Sequence, residues 1–167
     1  MMMFIGIDPG LTGAICALDQ DGAIIVCHDT PILTVTRNKH TRHECNRVEM
    51  AHMVREILHG RDSYGEPVAA IERVASMPNQ GVASSFTFGM GYGIWLGILA
   101  TLHVPTDLVH PARWKKTMLD SMGKNKDASR VRALELFGKQ VDLSKKIHHG
   151  RADALLLAEY RRRIEYR

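Results

Sequence analysis

A buried strand that ends on a single carboxylate is the feature that most constrains this chain. Residues 3–8 form an apolar run that predicts a buried strand, and Pro9-Gly10 ends it directly after Asp8. We therefore expect Asp8 to project from the strand end at the open edge of a sheet. An unpaired charge at that depth is costly, and a bound metal ion would relieve the cost. The alternative is that Asp8 only caps the turn.

Two further acids stand at comparable places. Glu72 follows a short apolar strand over residues 67–71, and Asp153 lies in the first turn of a helix that contains Leu155 and Leu156. An acid in a first turn can simply oppose the helix dipole. Three carboxylates at two strand ends and one helix start are nevertheless hard oxygen ligands that suit Mg²⁺, with Mn²⁺ as a substitute. Two such ions about 4 Å apart can activate water and stabilise the leaving oxygen of a phosphodiester.

The order of the predicted elements describes an α/β fold. Strands are predicted over residues 3–8, 13–18, 23–28, 67–71 and 104–109, and helical patterns follow Asn46, cover the glycine-rich run 86–102, begin at Pro111, follow Asp127 and begin near Arg151. A tight turn at Asp19–Gly22 indicates that the first three strands are antiparallel. We expect a mixed sheet with helices on its faces, in a single domain over residues 1–167. Residues 29–43 show no clear period and carry no predicted element.

Composition limits the class of protein. No apolar run approaches the roughly 20 residues that span a bilayer, and no leader pattern is visible, so we expect a soluble, cytoplasmic protein without membrane contact. The three cysteines lack metal-site spacing and are expected to be reduced thiols. The positive charge is concentrated in residues 113–126 and 139–151, which is consistent with a polyanionic partner or with an ordinary solvated surface.

The acids belong to longer motifs. Ile5-Gly-Ile-Asp8-Pro-Gly-Leu-Thr-Gly13, Ala70-Ile-Glu72-Arg and Ala152-Asp153-Ala-Leu resemble the three acidic motifs of the RuvC-type Holliday junction resolvases, in the ribonuclease H-like superfamily. Pro111-x-x-Trp114-Lys-Lys116 and His149-Gly-Arg-Ala-Asp153-Ala are similar to short RuvC-like proteins of bacteriophages. The resemblance implies a ribonuclease H-like fold with a five-stranded mixed sheet, a homodimer, divalent-metal dependence, and paired nicks in four-way DNA junctions. A phage protein of this kind would debranch recombined DNA in the cytoplasm of its bacterial host.

The resemblance also assigns roles to individual residues. It implies that Asp8, Glu72 and Asp153 bind the metal ions and that Lys115 and Lys126 hold the scissile phosphate and stabilise its developing charge. Candidates for contacts to the DNA backbone are Lys115, Lys116, Lys124, Lys126 and Arg130. A neutral imidazole can ligate a metal or act as a general base, which makes His149 the candidate for a fourth catalytic and metal-binding residue, with His148 as a poorer substitute.

The chain departs from the bacterial pattern at two positions. Bacterial members carry an acid or a histidine three residues before the final aspartate, where this chain has Gly150. They also carry a junction-wedging aromatic after the second acid, where this chain has Ala75, and Met77 or Phe86 are the substitutes considered. Trp114 is expected to be a packing residue rather than a base-stacking platform.

Several alternatives stay open at this stage. The glycine-rich run is consistent with a close helix crossing at a dimer axis or with packing inside one chain. A related nuclease for flaps, forks, RNA or RNA-DNA hybrid is the main alternative function, because nothing in the sequence indicates recognition of a 2'-hydroxyl or a branch angle. A non-catalytic junction-binding module is disfavoured by intact acids that repel phosphate. The first motif also resembles the phosphate loop of actin-like ATPases, but those need two lobes, so no nucleotide cofactor is expected.

Overall fold

The computed structural model of this chain describes residues 1–75, 81–120, 122 and 127–166, without the side chain of Arg37. The strands in these ranges are β1 (Met2–Asp8), β2 (Ala14–Leu18), β3 (Ile24–Asp29), β4 (Ile32–Arg37), β5 (His40–Cys45), β6 (Glu66–Glu72) and β7 (Thr106–Val109). The helices are α1 (Arg47–His59), α2 (Arg61–Tyr64), α3 (Val82–Thr101), α4 (Pro111–Met118), α5 (Ala128–Phe137) and α6 (His149–Glu165). Two short 3₁₀ turns, Gly138–Gln140 and Lys146–His148, lie between α5 and α6.

The main sheet has five strands in the order β3-β2-β1-β6-β7. Strands β1, β2 and β3 pair in antiparallel fashion, whereas β1 pairs with β6 and β6 with β7 in parallel. The β2–β3 turn has the predicted form, because Asp19 accepts hydrogen bonds from the backbone N–H groups of Asp21 and Ala23, and Gly22 takes a positive φ of 87°. The predicted α/β fold, with its five-stranded mixed sheet and three antiparallel N-terminal strands, is confirmed.

Side chains alternate between the two faces of the sheet and build two separate cores. Phe4, Val68 and Val109 belong to the core on the face that α4, α5 and α6 cover. Ile5 and Ile71 belong to the opposite core, which α1 and α3 cover. The sheet therefore lies between two helical layers.

Helix α6 lies unusually close to the central strand. A methyl group added to Gly6 would overlap the backbone carbonyl oxygen of Ala154 and the backbone nitrogen of Ala158. Gly6 is required by this close approach of β1 and α6, because no larger side chain fits between them. The contact fixes α6 over the end of β1, where Asp8 lies.

Residues 29–43, which carried no predicted element, contain most of a β-hairpin. Strands β4 and β5 form a separate two-stranded sheet, joined by Asn38 and Lys39, which have positive φ angles of 48° and 66°. Two successive residues of this kind form a turn that matches the twist of a two-residue hairpin. The strand period was hidden because the described side chains on both faces of this hairpin are largely exposed, so polar residues occupy both.

Two statements made from the sequence need correction. Helix α3 has 20 residues and is apolar enough to cross a membrane by length and composition, so the statement that no apolar run approaches that length is wrong. One such helix is weak support for a membrane span, and the absence of membrane contact stays a prediction. Cys16 and Cys27, expected to be free thiols, are opposite each other in β2 and β3 and form a disulfide. The sequence could not indicate this pairing, because it depends on the register of the two strands. Cys45 is a buried free thiol.

Candidate active site

Asp8 and Glu72 lie at the same edge and on the same face of the sheet. Strands β1 and β6 are parallel with Ile7 opposite Ile71, so the residues that follow end both strands side by side. Alternate residues of a strand face the same side of the sheet, so Asp8 faces the α6 side together with Phe4. Glu72 follows Ile71, which faces the opposite side, so Glu72 also faces α6. The sheet thereby brings together two carboxylates that are far apart in sequence.

Asp153 reaches the same place from the helix above. It lies near the start of α6, and the close approach of α6 to Gly6 sets this end of the helix over the end of β1. The charge of Asp153 raises the pKa of both Asp8 and Glu72, so the three carboxylates lie within electrostatic reach of one another. The structure therefore brings the three predicted acids together.

The carboxylates are held in an environment that disfavours their charged forms. Burial, and next the charge of Asp153, raise the pKa of Asp8 from its ordinary value of 3.8 to about 7. Burial also raises the pKa of Glu72, against the opposing charge of Lys115. The pKa of Asp153 is raised by burial as well, although a hydrogen bond from the Ser129 hydroxyl and the charge of Lys115 oppose this shift. A cation bound among the three acids would relieve the cost.

The donor set fits a hard divalent cation. The Oδ1 atom of Asp153 is buried and accepts no hydrogen bond from the described residues. No group of three or more His, Cys, Asp or Glu side chains in the described ranges forms a ready-made metal cage. Three oxygen donors that repel one another, one of them with an unpaired buried oxygen, are nevertheless a set that Mg²⁺ or Mn²⁺ neutralises. Asp8, Glu72 and Asp153 are the residues that would hold it.

Trp114 orients one of these carboxylates. Its ring is fully buried on α4, and the indole Nε1–H donates a hydrogen bond of 2.7 Å to Oε2 of Glu72. An indole nitrogen can only donate, so the bond holds one carboxylate oxygen at a fixed place. Trp114 is packed in the core, as expected, and it is also a positioning residue for Glu72, which sequence reasoning missed.

Replacing Trp114 with Phe should weaken metal binding more than it weakens the fold. The ring still fills the core, but Glu72 loses the donor that fixes its carboxylate. Partners of metal ligands are typically worth 10–100-fold in affinity, so we expect the Mn²⁺ dissociation constant to rise by about that factor. Titration of Mn²⁺ followed by electron paramagnetic resonance, without DNA, measures the change.

Trp95→Phe is the matched control for that substitution. Trp95 is also fully buried, but it packs in the opposite core, and its Nε1–H has no partner among the described residues. We expect Trp95→Phe to leave Mn²⁺ affinity unchanged. Equal affinities for wild type and Trp114→Phe would contradict the positioning role.

Lys115 lies beside the acids at the wall of a small cavity. The cavity has a volume of about 260 Å³ and is lined by Lys115, Ser129, His149 and Asp153 among others. The ammonium group of Lys115 lies over the ring of Trp114, 5.1 Å from its centroid. Lys116 is exposed on α4 and does not line this cavity. Of the two lysines, Lys115 is therefore the one that the helix turns toward the acids.

His149 lies near the acids, whereas His148 is engaged elsewhere. A positive charge on His149 lowers the pKa of Asp8 and of Asp153, so the imidazole is within electrostatic reach of both. Its Nδ1 lies 3.2 Å from the carbonyl oxygen of Lys146, which can only accept, so Nδ1 is the donor and Nε2 of the neutral ring carries no proton. His148 is buried, and its Nδ1 accepts from the backbone N–H of Lys145.

Gly150 is explained by a close contact. A methyl group added there would overlap the carbonyl oxygen of Thr12 and would also press on the backbone of Gly13, in the turn after Asp8. The chain therefore has no room at this position for the acid or histidine that bacterial members carry.

Arg130 has structural partners. Its Nη1 donates to the carbonyl oxygens of Leu143 and Ser144, at 3.3 Å and 3.2 Å, and so ties α5 to the segment that leads into α6. Its contact with DNA stays a prediction, as does that of Lys116. The remaining predicted residues Lys124, Lys126 and Met77 lie outside the described ranges. Ala75 is exposed after β6, and Phe86, the other candidate wedge, is 72% exposed near the start of α3.

Ser129 is a second residue that the sequence did not single out. It lies near the start of α5, and its hydroxyl bonds to the carboxyl group of Asp153. Neither Trp114 nor Ser129 carries a sequence signal for this role, because α4 meets the end of β6, and α5 meets α6, only in the packed fold.

Comparisons with known sequences cover part of the chain. No family model matches it. A curated relative, the chloroplastic Holliday junction resolvase MOC1 of Chlamydomonas reinhardtii, is 38% identical over 85 residues. The matched region is 50% of this chain and only 10% of the relative, so the chain spans about a tenth of that protein's length.

Comparisons with solved structures cover nearly all of the chain. Thermus thermophilus RuvC in complex with a Holliday junction substrate has a TM-score of 0.58 at 16% identity, with 96% of this chain and 92% of that chain covered. Another structure of the same RuvC has a TM-score of 0.57 at 17% identity, with 98% and 97% covered. The chain therefore has the fold of RuvC, a ribonuclease H-like fold, which confirms the predicted resemblance at the level of the fold.

Proposed function

From a chain with the fold of RuvC and three converging carboxylates, we propose a metal-dependent endonuclease that cuts four-way DNA junctions by paired phosphodiester hydrolysis. The observation that carries the proposal is the meeting of Asp8, Glu72 and Asp153, two on parallel strand ends and one on α6. A relative named as a junction resolvase and a fold shared with junction-bound RuvC support branched DNA as the substrate.

Each residue of the site has a distinct task in this proposal. Asp8, Glu72 and Asp153 hold the divalent cation, Mg²⁺ or Mn²⁺, in a two-ion site. When bound, the ions supply an activated water and neutralise charge on the leaving oxygen. Lys115 binds a phosphate oxygen beside Glu72 and Asp153 and so opposes the negative charge that develops there. His149 accepts a proton at Nε2 or adds a nitrogen ligand.

The proposal includes a homodimer that pairs through α3. Gly91, Trp95 and Leu99 form the buried side of this helix. On another side, a methyl group added at Gly89, Gly93 or Gly97 would meet no described atom within 4 Å. This spacing of four residues forms a smooth stripe, and small residues let two helix backbones approach closely. The stripe is not used for packing within the described chain, which favours the dimer-axis interpretation of the glycine-rich run.

Gly93→Leu should weaken that dimer, because a bulky side chain in the stripe keeps the two helices apart. Overpacking of this kind costs about 1–3 kcal/mol, so we expect the dimer dissociation constant to rise roughly 5–150-fold. Sedimentation velocity over a concentration series measures it, with Gly93→Ala as the conservative control. Identical sedimentation of wild type and Gly93→Leu would exclude α3 from the interface.

Nicking of labelled DNA tests the proposed activity. Wild-type protein is incubated with a four-way junction, a matched duplex, a flap and an RNA-DNA hybrid, with Mg²⁺ or with EDTA, and Asp8→Asn serves as the inactive control. We expect symmetric nicks in the junction that require Mg²⁺ and Asp8. Preferential cutting of the flap or the hybrid would assign the same site to a different substrate. Tight junction binding without cutting would show that the protein is a non-catalytic junction-binding module.

The biological setting is part of the same proposal. A junction-cutting enzyme of this size in a phage-infected cell would act in the bacterial cytoplasm and remove branches from recombined DNA. Products with religatable 5'-phosphate ends are the expected outcome, which ligation of the nicked arms would detect.

A further inference from the structure

The β4–β5 hairpin has two chemically different faces. On one face, Thr34 and His43 lie opposite each other with their side chains 3.3 Å apart, and Thr36 and Thr41 form a similar pair at 3.2 Å. Arg42 belongs to the other face, opposite Val35. Side-chain contacts across the strands therefore occupy the polar face and leave the Arg42 face available to a ligand.

Arg42 lines a groove that borders the turn after Asp8. The groove has a volume of about 580 Å³, and its walls are the turn after β1, strand β5 and the start of α3. Gly10 and Thr12 form the first wall, Arg42 the second, and Thr87 and Phe88 the third. The backbone N–H of Gly10 also donates to Oδ1 of Asp8 at 3.4 Å, so the same turn borders both the groove and the acids.

The mouth of the groove is basic. Arg42 is 61% exposed, and one of its terminal nitrogens, Nη2, forms an ion pair of 2.6 Å with Glu44. A guanidinium group has five N–H donors, so this pair holds Arg42 in place and leaves other donors for an anion. Lys39, in the turn of the hairpin three residues before Arg42, is also exposed.

The interior of the groove is less polar than its mouth. The ring of Phe88 lies beside Gly10, since its Cε2 atom is 3.8 Å from the point where a Gly10 methyl group would be. Leu11 lines the same space. An aromatic ring beside a fixed guanidinium group is a combination that binds one nucleotide, with the base against the ring and the phosphate on the arginine.

We propose that this groove binds the DNA strand next to the scissile phosphate, with Arg42 on a backbone phosphate and an unstacked base against Phe88. The inference rests on the proposed nuclease function and adds a substrate-binding site to it. Continuity with the Asp8 turn and charge complementarity favour this occupant over a protein partner.

Binding of a labelled four-way junction in EDTA, followed by fluorescence anisotropy at several salt concentrations, tests the proposal without cleavage. Arg42→Ala should weaken binding about 5–10-fold near physiological salt. The salt slope, which is the slope of the logarithm of the binding constant against the logarithm of the salt concentration, should become about 1 smaller in magnitude because one phosphate contact is lost. Glu44→Gln should tighten binding, because Arg42 is then free of its internal partner. Arg42 is exposed and Glu44 is partly exposed, and circular dichroism checks that both variants retain the fold.

Arg61→Ala is the matched control. Arg61 also forms an exposed ion pair, with Glu66 at 3.8 Å, but it lies at the opposite ends of β1 and β6 from the acids. We expect the junction affinity and the salt slope of Arg61→Ala to equal those of wild type.

A second measurement uses junction DNA with 4-thiothymidine next to the cleavage position. This base should crosslink to peptides that contain Arg42 or Phe88.

The outcomes separate the two proposals. Unchanged affinity and salt slope in Arg42→Ala, while wild type binds and cuts the junction, would overturn the groove and leave the nuclease intact. Altered sedimentation of Arg42→Ala with an unchanged salt slope would also overturn it, because the residue would then contact a second copy. A wild-type protein that binds neither junction nor flap would overturn the proposed function itself.

Discussion

Asp8→Asn is expected to abolish cleavage and at the same time to stabilise the metal-free protein. Loss of a ligand to the catalytic cation removes several kcal/mol of transition-state stabilisation, which corresponds to about a thousandfold or more in rate. The amide has nearly the same shape as the carboxylate but no charge. The folded protein therefore no longer bears the cost of a buried charge that Asp153 repels.

The stabilisation should depend on pH in a defined direction. The folded protein retains the Asp8 proton up to about pH 7, whereas the ordinary pKa of 3.8 applies to the unfolded chain. The stability of the metal-free wild type should therefore fall as pH rises from about 4 to 7 and level off above. A shift of this size corresponds to roughly 4 kcal/mol at pH 8, as an upper value for the gain in Asp8→Asn.

Urea denaturation in EDTA at pH 4.5 and pH 8 measures this difference, with circular dichroism as the signal. Asp62→Asn, at an exposed position in α2, is the control and should change little at either pH. Added Mg²⁺ should raise the stability of wild type at pH 8 and should have a smaller effect on Asp8→Asn. A metal-free Asp8→Asn protein that is less stable than wild type at pH 8 would contradict the proposed electrostatic cost.

Gly6→Ala should destabilise the protein by about 3 kcal/mol, although it adds a single methyl group. The new atom would overlap backbone atoms of Ala154 and Ala158, and backbone cannot move aside as the end of a flexible side chain can. Overpacking in a dense core typically costs 1–3 kcal/mol, and a clash that displaces a whole helix should reach the upper end of that range. Displacement of α6 also moves Asp153 away from Asp8, so metal affinity should fall as well.

Urea denaturation of Gly6→Ala and Gly93→Ala side by side isolates this effect. Both substitutions add the same methyl group, but at Gly93 it meets no described atom within 4 Å. In a helix interior, Gly to Ala is favourable by up to about 1 kcal/mol, so Gly93→Ala should be neutral or stabilising. Equal stability of Gly6→Ala and wild type would show that α6 can move away from β1 without cost.

Much of the fold follows from local patterns along the chain. Apolar runs that stop at Asp8 and at Glu72, and the tight turn at Asp19–Gly22, predict three antiparallel strands and a later strand of a mixed sheet. The β4–β5 hairpin could not be predicted, because strand prediction relies on one buried face and the described side chains are largely exposed on both faces of this hairpin. The disulfide could not be predicted either, because the register of β2 and β3 decides which cysteines lie opposite each other.

The sequence by itself determined which acids form the candidate site, because strand ends and helix starts are local features and a carboxylate there is unusual. Only the tertiary structure decided how these acids are held. Trp114 bonds to Glu72, Ser129 bonds to Asp153, and Gly6 and Gly150 admit α6 close to β1 and to the turn after Asp8. These contacts join residues that are distant in sequence, and their geometry is set by the packing of helices on the sheet, which no local pattern of residues encodes.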